Sequence, residues 1–458
     1  MWAFIFSFIA SGIIGLAFKF FLKPKKEDIT IREGLAIVAF WWMFCALFGA
    51  LPYWFSGTCD TFCDSYFESM SGLTTTGASI FSDIEALPHG ILFWRSMTQW
   101  LGGMGIVVFF VAILPTIGVG GHKLFSAEAP DLTTDKIKPR IAQTAKILWV
   151  IYLSLTAILI PFLWFGGMEF FDAVCHSFTT VSTGGFSTKN QSIAAFDSLF
   201  IEIVIMVFAF IAGCNFILYY QLVTGKFKKV LANSEIRFFV SLMLCAICLI
   251  TLALFFFDST SYNGGVKDHK YDSVGGSLRY AAFQAVSIMT SAGYCNADFD
   301  LWPDFCRVFL VLLMFIGGCA GSTAGGMKVA RIMLLCKSGV RELFHVLRPR
   351  AIMHVKLSGK PVSEDIITNT LGFIVINLGL FGVFSLILTI FGTELITSFS
   401  AIASMMSNVG PALADAGATK NYSGIAYPCK WVLIFAMLVG RLEIYTVILI
   451  FLPLTWKK

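Results

Sequence analysis

The sequence predicts an all-α polytopic membrane protein: four pseudo-symmetric helix–pore loop–helix repeats around one ion pathway, plus one extra N-terminal helix. Three observations carry this prediction. Hydrophobic residues make up 57% of the 458 and charged residues 13%, against roughly 25% charged in a soluble chain. Apolar stretches of about 20 residues recur, long enough to cross a hydrocarbon core as helix, and they lack the alternation of barrel strands. One polar pattern ending on glycine is written four times, as Thr74-Thr75-Thr76-Gly77-Ala78, Ser182-Thr183-Gly184-Gly185, Thr290-Ser291-Ala292-Gly293-Tyr294 and Ser407-Asn408-Val409-Gly410-Pro411. The steps are 107 (77 to 184), 109 (184 to 293) and 117 (293 to 410). Glycine is common here, at 40 residues, so one such loop carries little; four in step carry the argument.

The elements follow in order. Residues 1–32 are an extra helix, about Trp2 to Leu22, and a basic linker. Lacking a basic start and a small-residue cleavage site, it reads as a membrane helix and not a signal peptide. Repeat 1 (33–121) has a span from Ala36 to Phe55, a short segment from Phe67 to Leu73, the first motif and a run from Ile91 to Ile117. Repeat 2 (122–230) begins with the basic Lys136, Lys138, Arg140 and Lys146. It continues with a span from Ile147 to Phe165, a short segment from Phe170 to Val181 and a span from Phe200 to Tyr220. Repeat 3 (231–345) has a span from Phe238 to Phe257, a polar loop to Asp272, a short segment from Tyr280 to Met289 and a span from Pro303. That last span is interrupted by a glycine-rich stretch, 317–326. Repeat 4 (346–458) has spans from Ile366 to Phe391 and Trp431 to Leu454 around a short segment from Phe399 to Met406.

Charge assigns the sides. The net charge of +5 gathers in 23–32, 122–146, 225–237, 337–360 and the tail, which places those loops in the cytoplasm. It reads as topology and not as a nucleic-acid surface. The motif-side loops carry Asp60, Asp64, Glu68, Asp83, Glu85, Asp298, Asp300, Asp304 and Asp415; these suit a cation vestibule or are ordinary solvated charge. The twelve cysteines show no convincing metal spacing. Cys59 and Cys63 share an outer loop and read as free thiols, with a disulfide as the alternative.

The short segments cannot span, so they dip in and return. Non-helical backbone at membrane depth is tolerated where it lines a polar cavity, which turns four loops into one pore. Backbone carbonyls can replace a cation's hydration shell, and glycine reaches conformations closed to other residues. The candidate ion-binding residues are Thr75, Thr76, Gly77, Ser182, Thr183, Gly184, Ser291, Ala292, Gly293, Asn408, Val409 and Gly410. The candidate gate is Gly317, Gly318, Gly321, Ser322, Thr323, Gly325 and Gly326 together with Arg441. The break begins about 15 residues into its span, roughly 22 Å down at 1.5 Å per residue; close packing of small residues is the ordinary alternative. Arg441 is expensive mid-span unless it faces a partner or water, and Glu443, two residues on, does not face it. Gln99 and Asn215 read as interhelical hydrogen-bonders, Arg95 as a snorkelling side chain and His176 as packing.

Other classes find little support. No HExxH and no paired aspartates are present, and no serine has a base nearby, as a membrane-embedded enzyme would need. No nucleotide fingerprint occurs. Every motif falls on the same side, against inverted-repeat architecture.

The run Gly317-Gly318-Cys319-Ala320-Gly321-Ser322-Thr323-Ala324-Gly325-Gly326-Met327-Lys328 resembles the signature of potassium-uptake transporters of the Trk/Ktr/HKT superfamily. So do Gly440-Arg441-Leu442-Glu443, Ser71 to Ala78, Gln99-Trp100-Leu101-Gly102-Gly103-Met104-Gly105 and Gly118-Val119-Gly120-Gly121. The resemblance covers nearly the whole chain and is closest to the bacterial membrane subunit of the Trk system. It implies potassium uptake across the inner membrane, K+ as the transported ion, no covalent cofactor and no transition metal. It further implies a homodimer, and as partner a cytoplasmic NAD/ATP-binding regulatory ring of the TrkA type. It makes 317–326 the intramembrane gating loop and Arg441 an electrostatic barrier below the filter. Glycine in all four repeats goes with potassium selectivity, and serine at the first goes with sodium in some members. Sodium- or proton-coupled symport is the alternative. The family usually carries two helices before the first repeat, where this chain shows one.

Overall fold

The computed structural model describes residues 2–21, 31–112, 141–256, 271–350, 353–451 and 453. The expected linker at 23–30, Lys136, Lys138, Arg140, the Gly118 to Gly121 run, the loop 258–270 and the tail from 454 lie outside the described residues.

The extra helix is α1 (Trp2–Phe21). Its apolar residues are almost all exposed, and within its span only 6% are buried. Its face can therefore be satisfied only by lipid or another apolar partner. With the helices grouped by the repeats expected from the sequence, repeat 1 comprises α2 (Ile31–Ser56), α3 (Phe62–Leu73) and α4 (His89–Ala112). Repeat 2 comprises α5 (Ile141–Phe165), α6 (Phe170–Val181), α7 (Leu199–Gly213) and α8 (Phe216–Val223). Repeat 3 comprises α9 (Ser234–Phe256), α10 (Val274–Met289), α11 (Asp304–Met314) and α12 (Val329–Leu347). Repeat 4 comprises α13 (Glu364–Ile390), α14 (Leu395–Ser407), α15 (Tyr427–Leu442) and α16 (Ile444–Phe451). Among the described residues five helices are long and apolar enough to cross a membrane, or six if α7 and α8 count as one bent span.

Apolar residues fill the outer surface as well as the core. The long helices expose Phe, Leu and Ile outward, while the short helices α3, α6, α10 and α14 sit buried at the centre. Their buried residues include Ser65, Ser69, Ser177, Thr180, Ser287 and Ser404, so polar side chains are set within an otherwise apolar interior. Each short helix packs against the spans of its own repeat.

Three expectations change. The short helices start earlier than their apolar stretches suggested, at Phe62, Val274 and Leu395. Their first turns are polar and look like loop: Thr61 accepts from the Asp64 amide, and Ser273 accepts from the Gly276 amide, both ordinary N-caps. The span expected from Phe200 to Tyr220 is broken at Cys214 and bends by 96°. There Asn215 caps the new helix through the Ile217 amide at 2.9 Å, not a neighbouring helix. The last span is also interrupted, at Glu443, which adopts φ 63°. After the glycine-rich break α12 runs on to Leu347, and a hairpin pairs Lys356 with Pro361. Val355, Leu357 and Val362 of this hairpin pack on Met333, Leu334 and Ile367, away from the main core.

Candidate functional site

Each short helix ends in the same way. The amides of Thr76, Gly184, Ala292 and Val409 donate back to the carbonyls of Ser71, Thr179, Ser287 and Ser404 at 2.8–3.0 Å. One residue before each of these, the chain turns left-handed, at Thr75 (φ 53°), Thr183 (φ 56°), Ser291 (φ 52°) and Asn408 (φ 53°). One residue after each, it turns left-handed again, at Gly77 (φ 81°), Gly185 (φ 79°), Gly293 (φ 71°) and Gly410 (φ 104°). Left-handed backbone is costly for ordinary residues and free for glycine. This corrects the register of the second motif by one residue. Gly185, not Gly184, stands in step with the other three glycines, and Ser182 is the helix cap matching Thr74 and Thr290. The first two steps become 108 each (77 to 185 and 185 to 293).

The four segments close on one another. A Cβ on Gly77 would strike the carbonyl oxygen of Gly184; on Gly185, that of Ala292; on Gly293, that of Val409; on Gly410, that of Thr76. The contacts run from repeat 1 through repeats 2, 3 and 4 and back to 1, so the glycines and the carbonyls preceding them form one ring. A small cavity of about 80 Å³ beyond the ring is lined by Gly77, Gly185, Gly293 and Gly410 together.

Buried hydrogen bonds brace the ring from behind. Ser71 Oγ donates to the Ala78 carbonyl at 2.6 Å, and its counterpart Ser287 Oγ donates to the Tyr294 carbonyl at 2.7 Å. The Tyr294 hydroxyl reaches into repeat 2, 2.5 Å from Thr179 Oγ1. Gln99 donates to the Gly184 carbonyl at 2.7 Å and accepts from the Phe186 amide at 3.1 Å. His176 bridges the Asp172 carbonyl and Ser187 Oγ, so it fixes the strand beyond Gly185 and does more than pack. Arg95 does not snorkel. It is buried, pairs with Glu68 at 2.7 Å, donates to the Ser187 carbonyl at 3.0 Å and lies over the Phe186 ring. Glu68 in turn accepts from the Ile80 amide.

Several of the acidic residues, which the sequence left as either a cation vestibule or ordinary solvated charge, are held in ion pairs. Asp64 is bound to Lys430 at 2.6 Å, Asp300 and Asp304 hold Arg307, and Asp415 faces Lys420. The mouth cavity is lined by Lys189 and Lys420 and by no carboxylate among the described residues. Asp83 joins repeats 1 and 2 by accepting from Asn190 at 3.0 Å. That bond, with the Ala86 and Glu85 amides, holds its carboxyl below the usual range. Cys59 and Cys63 are free thiols.

The glycine-rich stretch 317–326 lies on the opposite side of the ring, against the helix ends. Thr323 Oγ1 donates to the Val181 carbonyl at 3.2 Å, and the Gly325 amide donates to Ser291 Oγ at 2.6 Å. A Cβ on Gly325 would meet the Ser407 carbonyl and the Asn408 side chain. The loop thus touches segments 2, 3 and 4. Arg441 completes the enclosure: Nη1 donates to the Thr323 carbonyl at 2.8 Å and Nη2 to the Gly102 carbonyl of repeat 1 at 3.4 Å. Arg441 is buried and has no carboxylate partner among the described residues. Glu443 instead pairs with Arg331, just beyond the loop, at 2.8 Å.

This arrangement coincides with a family match over residues 3–457, to the TrkH model described as "Cation transport protein". The chain belongs to the TrkH family. It is 41% identical over 459 residues to the Trk system potassium uptake protein TrkH of Salmonella typhimurium, covering 100% of this chain and 92% of that protein. Against the protein of the same name from Vibrio parahaemolyticus it is 39% identical over 443 residues, 95% of this chain and 88% of the relative. The crystal structure of the potassium transporter TrkH from Vibrio parahaemolyticus superposes with a TM-score of 0.87 at 37% identity, covering 99% of this chain and 92% of that one. The TrkH family is a family of membrane transporters and not of enzymes.

Sequence reasoning brought the right loops together and missed their braces. Glu68, Arg95, Asn408 Nδ2 (3.0 Å from Thr76 Oγ1) and Tyr422, whose hydroxyl donates to the Gly410 carbonyl at 2.8 Å, were not singled out as a set. Asn408 and Thr76 lie 332 positions apart, so no local pattern pairs them.

Proposed function

We propose that this chain takes up potassium through the glycine ring, with 317–326 and Arg441 as the gate beneath it. The observation that carries the reading is the closed cyclic order of the ring. A fourfold set of carbonyls around one axis is the geometry that can substitute for a cation's hydration shell. The ion-binding residues are then Thr75, Thr76 and Gly77; Thr183, Gly184 and Gly185; Ser291, Ala292 and Gly293; and Asn408, Val409 and Gly410. The short helices aim their C-terminal, partly negative ends at the same axis. On the inner side Thr75 Oγ1 and Asn408 Oδ1 are buried without a protein partner among the described residues, and such groups are expected to face an ion or water.

Arg441 fits a barrier, because its charge stands uncompensated below a cation site. Its bond to Thr323 makes loop and barrier one unit. The repeats are bounded at 33–121, 122–230, 231–345 and 346–458, and the basic loops face the cytoplasm of a bacterial inner membrane. Potassium uptake by the relatives, by their names, belongs to a Trk system; we read this chain as its homodimeric membrane subunit, working with a cytoplasmic NAD/ATP-binding ring.

The test is potassium and sodium flux into vesicles containing the purified protein, with and without its soluble partner. Potassium flux well above sodium, changed by partner and nucleotide, is expected. Equal fluxes of both ions would count against the carbonyl ring, and no flux of either against the transport reading.

A further inference from the structure

We propose that an acyl chain of a bilayer phospholipid occupies a cavity between the N-terminal helix and repeat 1, against the outer wall of the ion path. The cavity measures about 890 Å³ and is bounded by α1, α2 and α4, with Leu73 of α3 and Trp149 of α5, within the roughly 300–1,000 Å³ range of ligand sites. It adds a site to the transport reading and does not depend on it.

Its chemistry favours an apolar occupant. The hydroxyls in its wall are already spent on their own helices: Ser7 donates to the Ala3 carbonyl, Ser11 to Ser7 and Thr98 to Arg95, each at 2.7 Å. The Trp94 indole donates to the Gly49 carbonyl at 3.0 Å. The remaining surface is mostly aromatic and aliphatic, so burial of hydrocarbon is the interaction on offer.

Its shape favours a chain. Along α2 the wall runs from Ile37 to Pro52, 15 residues or about 22 Å at the helical rise. Its rim includes Phe8, Ile37, Trp41 and Leu101, all exposed on the membrane-facing surface. An apolar cavity open to the bilayer interior is filled from the bilayer, because water gains no partners there.

The inner wall gives the site consequence. Leu73, the last residue of α3, and Gly102 both line it. The Gly102 carbonyl accepts Arg441, and Gly102 abuts the Leu73 carbonyl so closely that a Cβ would collide with it. The occupant therefore presses on the wall against which Arg441 rests.

The experiment places the full chain in phosphatidylethanolamine–phosphatidylglycerol vesicles doped with a phospholipid carrying a diazirine on one acyl chain, followed by irradiation and peptide mass spectrometry. Adducts on Trp42 and Trp94, which face the cavity, are expected in several-fold excess over adducts on Leu386 and Phe255, which face open lipid. Two filling variants on different helices, Cys45→Trp and Gly105→Leu, are expected to remove that excess and leave Leu386 and Phe255 labelled. A Cβ on Gly105 makes only ordinary van der Waals contact, with the Trp42 ring at 3.6 Å, so this substitution adds bulk without a clash at its first atom. Labelling of Leu386 and Phe255 without Trp42 and Trp94 in the unmodified protein would overturn the proposal. So would an excess that persists in both variants.

Discussion

Arg441 donates to the carbonyl oxygen of Thr323 across 2.8 Å, so under the proposed function the residue that would oppose a cation electrostatically also holds the loop that would block it. Replacing Arg441 by alanine removes both functions. Hydrogen bonds to charged groups contribute about 1.5–3 kcal/mol, so Arg441→Ala is expected to raise potassium flux about tenfold or more in reconstituted vesicles. Arg441→Lys keeps the charge and loses the fork, and should fall between. Unchanged flux in Arg441→Ala would remove the arginine from the gate.

The corrected register makes a second prediction. Gly185→Ala places a Cβ against the Ala292 carbonyl in a left-handed conformation, and backbone cannot step aside. Potassium-over-sodium selectivity should fall, as for Gly77→Ser. At Gly184 the same substitution meets the Gln99 side chain. Trimming that side chain makes room but also removes its bonds to the Gly184 carbonyl and the Phe186 amide, so Gly184→Ala combined with Gln99→Ala should recover only part of the selectivity lost in Gly184→Ala. Gly185→Ala should not be rescued by any single trimming. Rescue of the 185 variant and not the 184 variant would restore the original register.

A third concerns Arg95 and Glu68, which are 1% and 0% exposed and 2.7 Å apart. Removing one partner of a buried pair costs about 3–5 kcal/mol, because the other charge is left uncompensated. Glu68→Gln should lower the melting temperature in detergent and reduce selectivity, since Glu68 also holds the Ile80 amide beyond Gly77. The double variant Glu68→Gln/Arg95→Met should recover part of the melting temperature. An additive loss in the double variant would show that the pair is not coupled.

A fourth concerns Glu443 and Arg331, paired at 2.8 Å across the break in the last span. Glu443 holds φ 63°, a conformation costing of order 1–3 kcal/mol that persists where the surroundings enforce it. A double-mutant cycle with Glu443→Gln and Arg331→Gln should show a coupling of about 1–3 kcal/mol in stability. A coupling near zero would mean that the strain at 443 is held by packing alone.

These residues also show what could be read from the chain. The four glycine loops and the break at 317–326 were legible because small polar residues and clustered glycines are conspicuous in apolar surroundings. The register of repeat 2 was not, because Gly184 and Gly185 are chemically identical and the backbone conformation alone separates them. Arg95 was misread because its partner lies 27 positions away, and position near a helix end says nothing of burial. The pairing of the acidic loops was hidden for the same reason: Asp64 and its partner Lys430 are 366 residues apart. The break at Cys214 did carry a signal, since Asn215 after Gly213 is a stop followed by a start, but the apolar run around it concealed the bend.

The most direct test of the central claim is anomalous diffraction from crystals of this protein grown with thallium(I) in place of potassium. The account predicts a peak on the axis of the ring formed by Thr76–Gly77, Gly184–Gly185, Ala292–Gly293 and Val409–Gly410. Bound thallium elsewhere in the protein, with none inside that ring, would contradict it.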